Sequence, residues 1–283
     1  MPDFFCIYNS AVTDSLNVQA RLTSLENACR KYSIQFCLMD EAKTDFSNLP
    51  VPTENDGLYN CARGSYLLEK VMLNNKVRSF YRTYNYLSFQ DDSNLINIEL
   101  EKQNTPTPKT IYKGNNDKQL LHRHVDYLGG FPIVIKTYGG TGGVGVIKVD
   151  NLATLYSIAD YLMAKKIDFQ LREFIPANSC ERMTVLGDEV IYTITRPIKT
   201  DDFRSNAYDK KSHILTLPDE INQVAVKATH AANLNYAGVD LIISSKDNKP
   251  YILEVNCPQN FAMHEQITGE SYTDKMIEFL FKR

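Results

Sequence analysis

Apolar and polar positions along this chain switch between a strand-like and a helix-like spacing, and the switches mark its elements. Residues 4–8 and 34–39 are short apolar runs that read as strands. Between them, Leu22, Leu25 and Cys29 recur at helical spacing within residues 16–31. A further strand-like piece at residues 57–60 leads through Arg63-Gly64-Ser65 to a helix running to Leu73. Strands alternating with helices predict a small parallel-sheet lobe that ends near residue 90. Asp91-Asp92-Ser93-Asn94 then precedes residues 95–103, a capped helix ended by Thr105-Pro106-Thr107-Pro108.

Two more lobes follow. Residues 131–149 are two apolar, β-branched runs around Gly139-Gly140-Thr141-Gly142-Gly143. Leu152, Leu155, Ile158, Ala159, Leu162 and Met163 form one apolar stripe of a helix that does nothing but pack. The strand at residues 169–175 is expected to cross into the third lobe. There Arg182 opens a hairpin that turns at Gly187-Asp188 and returns over residues 190–196. Residues 221–234, behind Pro218-Asp219-Glu220, read as an amphipathic helix with His230 in a structural role. His122 and His124 fall in a polar stretch expected to be a solvated turn. The class is α/β, with lobes at residues 1–90, 91–171 and 172–283.

Composition narrows the function classes. Length exceeds the usual single-domain size, so two or three lobes sharing a cleft are expected for 283 residues. Hydrophobic content of 43% and charged content of 23% are those of a soluble globular protein. Net charge is −3 without a basic block, which argues against nucleic acid as a partner. No apolar run approaches membrane-spanning length, so no membrane partner is expected. The first residues lack a basic head and a long apolar core, and read as a strand rather than a signal peptide. Cysteines at 6, 29, 37, 61, 180 and 257 show no metal spacing and are expected to be reduced in a cytoplasmic protein.

The last hairpin carries the first candidate chemistry. Gly238-Val239-Asp240-Leu241 and Leu253-Glu254-Val255-Asn256 flank the polar turn Lys246-Asp247-Asn248-Lys249. A loop centred near Asp247 sets Asp240 opposite Glu254, with Glu254 and Asn256 on one face. Facing carboxylates repel, so a cation between them is expected. Carboxylates with an amide oxygen suit Mg²⁺ bound together with substrate phosphates. An ordinary edge hairpin with its acids in water is the plainer alternative.

A second signal lies upstream. The glycine loop can turn its backbone N–H groups toward an anion, and Lys136 just before it can place a charge on a phosphate. A strand follows the loop, so it is not a dinucleotide fingerprint, and no Gly-Lys-Ser/Thr makes it a Walker loop. A mobile hairpin tip with a solvated lysine is the alternative here.

Taken in order, the motifs resemble a known family. Lys136 is followed by Gly140-Thr141, Gly143 and Gly145-Val146; then come Arg172-Glu173-Phe174-Ile175, Glu181-Arg182 and Gly187-Asp188-Glu189-Val190. Phe203-Arg204-Ser205-Asn206, Ala237-Gly238-Val239-Asp240, Leu253-Glu254-Val255-Asn256 and Thr268-Gly269 complete the series. This order resembles the RimK-type branch of the ATP-grasp ligases, over about two-thirds of the chain, residues 104–283.

The resemblance implies an ATP-grasp fold, with an N-terminal pre-grasp lobe, and an ATP-dependent carboxylate–amine ligase. Such an enzyme forms an acyl phosphate that an amine attacks, adding a glutamate-like amino acid to a peptide or protein. It implies ATP and two Mg²⁺ ions, with Mn²⁺ an acceptable substitute, held by Asp240, Glu254 and Asn256. Lys136, Gly139, Gly140, Thr141, Gly142 and Gly143 would hold phosphates, and Arg172, Glu173, Phe174 and Ile175 would surround the base. Arg182, Arg196 and Asn206 would stand near the transferring phosphate, with Arg204 a weaker candidate. Loss of one ligand acid is expected to remove activity without unfolding the chain. Relatives are commonly dimers or tetramers, so a homo-oligomer is compatible.

Several positions depart from the pattern. Asp92-Ser93-Asn94-Leu95 stands where the family carries a lysine, a contact Lys102 is a candidate to replace. Glu181 does not align cleanly with the usual ribose acid. Cys257-Pro258-Gln259-Asn260 replaces the usual acceptor-shaping Ser-Pro-Gly. A macrocyclising peptide ligase and a nucleotide-binding regulator that no longer ligates remain alternatives.

Overall fold

The first alternating stretch closes into a parallel sheet. In a computed structural model of the chain, every residue is described except 14, 63, 85–92, 140–141, 200, 205–212 and 283. Strands β1 (Asp3–Tyr8), β2 (Gln35–Asp40), β3 (Gly57–Asn60) and β4 (Arg78–Ser79) lie in the order β2-β1-β3-β4, all parallel. Helices α1 (Leu16–Lys31) and α2 (Tyr66–Met72) connect them, as parallel pairing requires. Ser15 caps α1 by accepting from the Val18 N–H, while Arg30 and Lys31 complement the helix dipole in the last turn.

Helix α3 (Ser93–Lys102) falls in the stretch read as the central lobe, but it packs elsewhere. Its Ile96 and Leu100 are buried in the core of the third lobe, beside Val239, Leu241 and Val255.

The central lobe is an antiparallel sheet of β5 (Thr110–Ile111), β6 (Ile133–Thr137), β7 (Val146–Val149) and β8 (Phe169–Glu173), in the order β5-β8-β6-β7. Helices α4 (Lys118–Leu128) and α5 (Leu152–Ala164) cover one face of it, with Leu121, Val125, Leu155 and Leu162 on Ile133, Ile135, Phe169 and Leu171. Strict alternation leaves Val134, Lys136, Gln170 and Arg172 on the other face. The structure corrects two expectations. His122 and His124 lie on α4, a helix capped by Asp117 on the Leu120 N–H and ended by left-handed Gly129, not in a turn. Leu121, Val125 and Leu128 supply the apolar stripe that a polar composition hid. Strand β8 ends at Glu173 and stays paired with β5 and β6, rather than crossing lobes up to residue 175.

The third sheet runs β11-β10-β9-β12-β13, from β9 (Ser179–Leu186), β10 (Glu189–Pro197), β11 (His213–Ile214), β12 (Tyr236–Ile243) and β13 (Pro250–Asn256), all antiparallel. Helix α6 (Asp219–Ala231) backs it through Ala225, Val226 and Ala228 on Met183, Val185 and Val239. His230 Nε2 lies 3.0 Å from the Gly187 carbonyl, tying that helix to the hairpin turn. Helices α7 (Phe261–Thr268) and α8 (Tyr272–Phe281), which the pattern did not single out, return to the first lobe. Phe261, Met276 and Ile277 share a core with Phe4, Leu22 and Tyr236. Burial of such large side chains, at about 25 cal/mol per Å², joins the first and third lobes. Among the described residues, no helix is long and apolar enough to cross a membrane.

Candidate functional site

Alternation on the third sheet puts its charged residues on one face. Arg182 pairs with Asp240 across β9 and β12, and Asp240 pairs with Glu254 across β12 and β13. Paired residues point the same way, so Arg182, Asp240 and Glu254 form a cross-strand row with the first lobe's side of the sheet. Gly238 pairs with Asn256 one step along. The register centred on Asp247 is the one the turn residues predicted, with an irregularity between Asp240 and Leu241.

Asp240 is 7% exposed and enclosed by cations. Arg182 donates from Nε to Oδ1 at 2.6 Å and from Nη2 to Oδ2 at 2.7 Å. Arg196 Nη2 donates to the same Oδ1, and Asn256 Nδ2 lies 3.4 Å from Oδ2. Four donors match the roughly four lone-pair positions of a carboxylate. Burial pushes the Asp240 pKa up, but Arg182 and Arg196 outweigh it and hold the carboxyl below its ordinary range.

The glycine loop approaches this row from the central lobe. Lys136 Nζ stands 3.8 Å from Glu254 Oε2. Gly139, Gly142, Gly143 and Gly145 all take positive φ, between 62° and 81°, where side chains other than glycine are strained. A Cβ at Gly139 or Gly142 would meet nothing within 4 Å, so conformation rather than space selects glycine there. Gly140 and Thr141 lie outside the described residues, as does Asn206. Arg204 Nη1 donates to the Gly143 carbonyl at 3.3 Å, while Asp202 holds its Nε and Nη2.

The residues expected around the base are spread along one edge. Arg172 is buried; its Nη1 donates to the Leu253 carbonyl at 3.0 Å and its Nε to Thr110 Oγ1 at 3.2 Å, bridging the second and third sheets. Glu173 accepts from the Lys109 N–H at 3.2 Å. Phe174 meets the Phe203 ring edge-on, with Lys148 Nζ 5.1 Å above it. Ile175 follows, half-buried. Lys102 pairs with Glu99 at 2.6 Å and is 64% exposed, away from the site.

Several buried polar groups here escaped the sequence reading. Gln170 Oε1, Arg172 Nη2 and both amide atoms of Asn97 are buried without a hydrogen bond. Asn97 lies one turn before Glu101 on α3, and the Glu101 charge is felt at Arg172. Such groups are costly unless a ligand satisfies them. Gln170 was within reach, since it alternates with Arg172 on the same strand. Gln259 was not: it sits over Gly238 and its Nε2 donates to Thr184 Oγ1 at 2.8 Å, with Tyr236 OH at 3.2 Å. His264, fully buried against Tyr192, has its pKa driven down to about 3 by burial and then by Arg182 and Arg196.

The RimK-like ATP-grasp domain matches residues 91–280. The chain belongs to this family. It is 32% identical over 161 residues to a probable alpha-L-glutamate ligase of Nitrosococcus oceani, covering 56% of this chain and 53% of that one. It is 31% identical over 159 residues to the ribosomal protein bS6–L-glutamate ligase of Escherichia coli O81, covering 55% and 52%. The chain thus aligns with about half the length of these curated relatives. Among solved structures it resembles the ATP-grasp ligase PsnB complexed with a phosphomimetic variant of minimal precursor, Mg and ADP. The TM-score is 0.73 at 14% identity, over 100% of this chain and 98% of that one. The shared fold is that of the ATP-grasp ligases, α/β throughout, as the motifs implied.

Proposed function

We propose that this RimK-like chain is an ATP-dependent ligase that joins a carboxylate to an amine on a peptide or protein, adding a glutamate-like amino acid. The observation that carries this reading is the meeting of Lys136, from the glycine-loop strand, with the row Arg182–Asp240–Glu254 of the final hairpin. A carboxylate and a phosphoryl group brought together there face fixed positive charge. That is what transfer of phosphate to a carboxylate, followed by amine attack, requires. The names of the relatives, glutamate ligases including one for a ribosomal protein, support a peptide or protein acceptor.

The buried atoms that lack partners, Gln170 Oε1, Arg172 Nη2 and the Asn97 amide, support a nucleotide, with the base beside Phe174 and phosphates at Lys136 and the glycine loop. For Mg²⁺, the donor set is chemically right, since Glu254 and Asn256 offer oxygens beside Asp240. Asp240, however, already accepts from Arg182, Arg196 and Asn256, so its ligation exchanges an arginine for the ion. Bound there, Mg²⁺ would offset charge on the phosphate oxygens. Two ions, held by Asp240, Glu254 and Asn256, remain the reading for this site. Arg182 and Arg196 would then orient the carboxylate and the leaving phosphate, as forked guanidinium groups do. The described cysteines, all free of disulfides, support a cytoplasmic setting.

The test is ADP formation by the purified chain with ATP and Mg²⁺, across amino acids and a peptide pool, with Glu254→Gln as the blank. Turnover stimulated by one donor–acceptor pair and lost in the variant supports the ligase. ATP binding with no stimulated turnover would move the reading to a nucleotide-binding regulator.

A further inference from the structure

Beside the arginine pair, the third sheet carries a second polar cluster that takes no part in the chemistry above. Thr184 pairs with Tyr192 across β9 and β10, one step along from the Arg182–Ile194 pair. Residues two apart on a strand share a face, so Tyr192 stands diagonally across from Arg182. That separation is within reach of an aromatic ring and a long side chain. Arg196 lies on the same face of β10, beyond the fully buried Ile194. Helix α7 brings His264 onto this face, where its Nδ1 bonds to the Tyr192 hydroxyl and the two rings meet edge-on at 5.0 Å. The Tyr272 ring of α8 lies 4.0 Å from that of Tyr192, and Gln259 Nε2 lies 3.4 Å from the same hydroxyl.

An apolar pair of the same shape would fill this space without surrendering hydrogen bonds to water, whereas a phenol and an imidazole do surrender them. Burial, with Arg182 and Arg196 close enough for their charge to be felt, keeps the His264 ring neutral. A neutral ring beside two guanidinium groups adds no repulsion and offers a flat surface, and guanidinium planes settle against aromatic faces. The arginines themselves are held by Asp240, Arg182 through Nε and Nη2 and Arg196 through Nη2. That carboxylate fixes where each guanidinium sits. A rigid wall beside it fixes how each plane is turned.

We infer that Tyr192 and His264 are positioning residues for Arg182 and Arg196. Their hydrogen bond holds the aromatic wall against which the two guanidinium planes keep the orientation that carboxylate and phosphate require. This rests on the ligase reading above, in which those arginines orient the reacting groups. At 7% and 0% exposure, Tyr192 and His264 act through the arginines rather than on the substrate. The rival role is packing alone, in which the cluster joins α7 and α8 to the sheet and the arginines are indifferent to it.

Tyr192→Phe deletes one oxygen and keeps the ring. It is compared with His264→Leu and with His264→Asn, whose amide can replace Nδ1 as the partner of the hydroxyl. In the ADP assay, kcat should fall ~10-fold or more in Tyr192→Phe and His264→Leu, as misplaced orienting groups predict. KM for ATP should stay within about 2-fold, and His264→Asn should recover most of the lost kcat. Proton exchange of the Arg182 and Arg196 Nε–H groups is read by NMR on the isotopically labelled chain and assigned with Arg182→Lys and Arg196→Lys. It should quicken ~10-fold in Tyr192→Phe and His264→Leu, as loosened local structure predicts. Tyr192→Phe serves if His264→Leu does not fold. A lower Tm with kcat and exchange unchanged is the mark of packing alone and overturns the positioning role. The exchange measurement needs no substrate, so the two proposals fail separately. Quickened exchange in a chain that forms no ADP with any peptide removes the ligase reading alone; wild-type turnover and exchange in both variants remove the positioning role alone.

Discussion

Arg182 and Asp240 face each other across neighbouring strands and join through two hydrogen bonds, of 2.6 and 2.7 Å. Arg196, 3% exposed, donates to the same carboxylate. Asp240 therefore sits between two guanidinium groups, one buried and one part-buried. Replacing it with asparagine removes the carboxylate that both guanidinium groups share, at a cost of about 3–5 kcal/mol, with loss of activity expected besides. Glu254 makes one ion pair among the described residues, with Lys136 at 3.8 Å, and both are partly exposed. Glu254→Gln should alter stability by less than ~1 kcal/mol while ADP formation falls ~100-fold or more. Urea melts run beside the ADP assay separate the two. Equal stability of both variants would show that Arg182 and Arg196 find other partners. The structure thus divides the two candidate ligand acids, which the motifs alone treated as equivalent.

Gly238→Ala should destabilise the fold. An ideal Cβ there falls 2.2 Å from Gln259 Oε1, and Gln259 is 2% exposed and bonded to Thr184 and Tyr236. The amide cannot swing away without leaving those groups unsatisfied, so a cost of about 1–3 kcal/mol is expected. Gly238→Ala with Gln259→Ala should recover part of it. A double-mutant cycle by thermal melting checks this, and additive losses would rule out the clash.

Glu69 sets a pH dependence in the opposite sense to most acids. It is 5% exposed, accepts from Tyr81 OH at 2.7 Å and from Asn60 Nδ2 at 3.1 Å, and burial still raises its pKa from 4.5 to about 7. A raised carboxyl pKa means the folded chain holds the proton more tightly. Its contribution is therefore complete below pH 4.5 and is lost as pH rises to about 7, a change on the order of 3 kcal/mol. Glu69→Gln removes the titration, keeps an oxygen to accept from Asn60 Nδ2 and lets Tyr81 OH accept from the new amide. The stability difference between variant and wild type should grow from pH 5 to pH 8, measured by urea unfolding; a constant difference would falsify the assignment.

Arg204 holds the glycine loop through a 3.3 Å bond to the Gly143 carbonyl. Arg204→Ala should leave stability within ~1 kcal/mol, because the side chain is exposed. Hydrogen exchange over residues 142–146 should quicken, and KM for ATP should rise a few-fold through looser closure. Unchanged exchange would mean that the loop holds its shape by its own turns.

The elements that the chain pattern made legible are those whose signal is local. Asp247 and its polar neighbours dictated a turn, the turn dictated the register, and the register placed Asp240 opposite Glu254. The stripe from Leu152 to Met163 likewise marked α5. Helix α4 was missed because Lys118, Arg123 and Asp126 dilute an apolar stripe of only three residues. The extent of β8 was overread because Phe174 and Ile175 continue the apolar pattern after pairing with β6 has ended.

By itself, then, the sequence determined the turns, the strand faces and the order of motifs, since each depends on neighbours within a few residues. The tertiary structure alone decided which charges meet. Arg182 and Asp240 are 58 residues apart, and nothing local tells a guanidinium that its counter-ion lies on the adjacent strand. Burial and partnership of a charge are properties of the packed lobes, where low polarity makes each pairing, or its absence, matter.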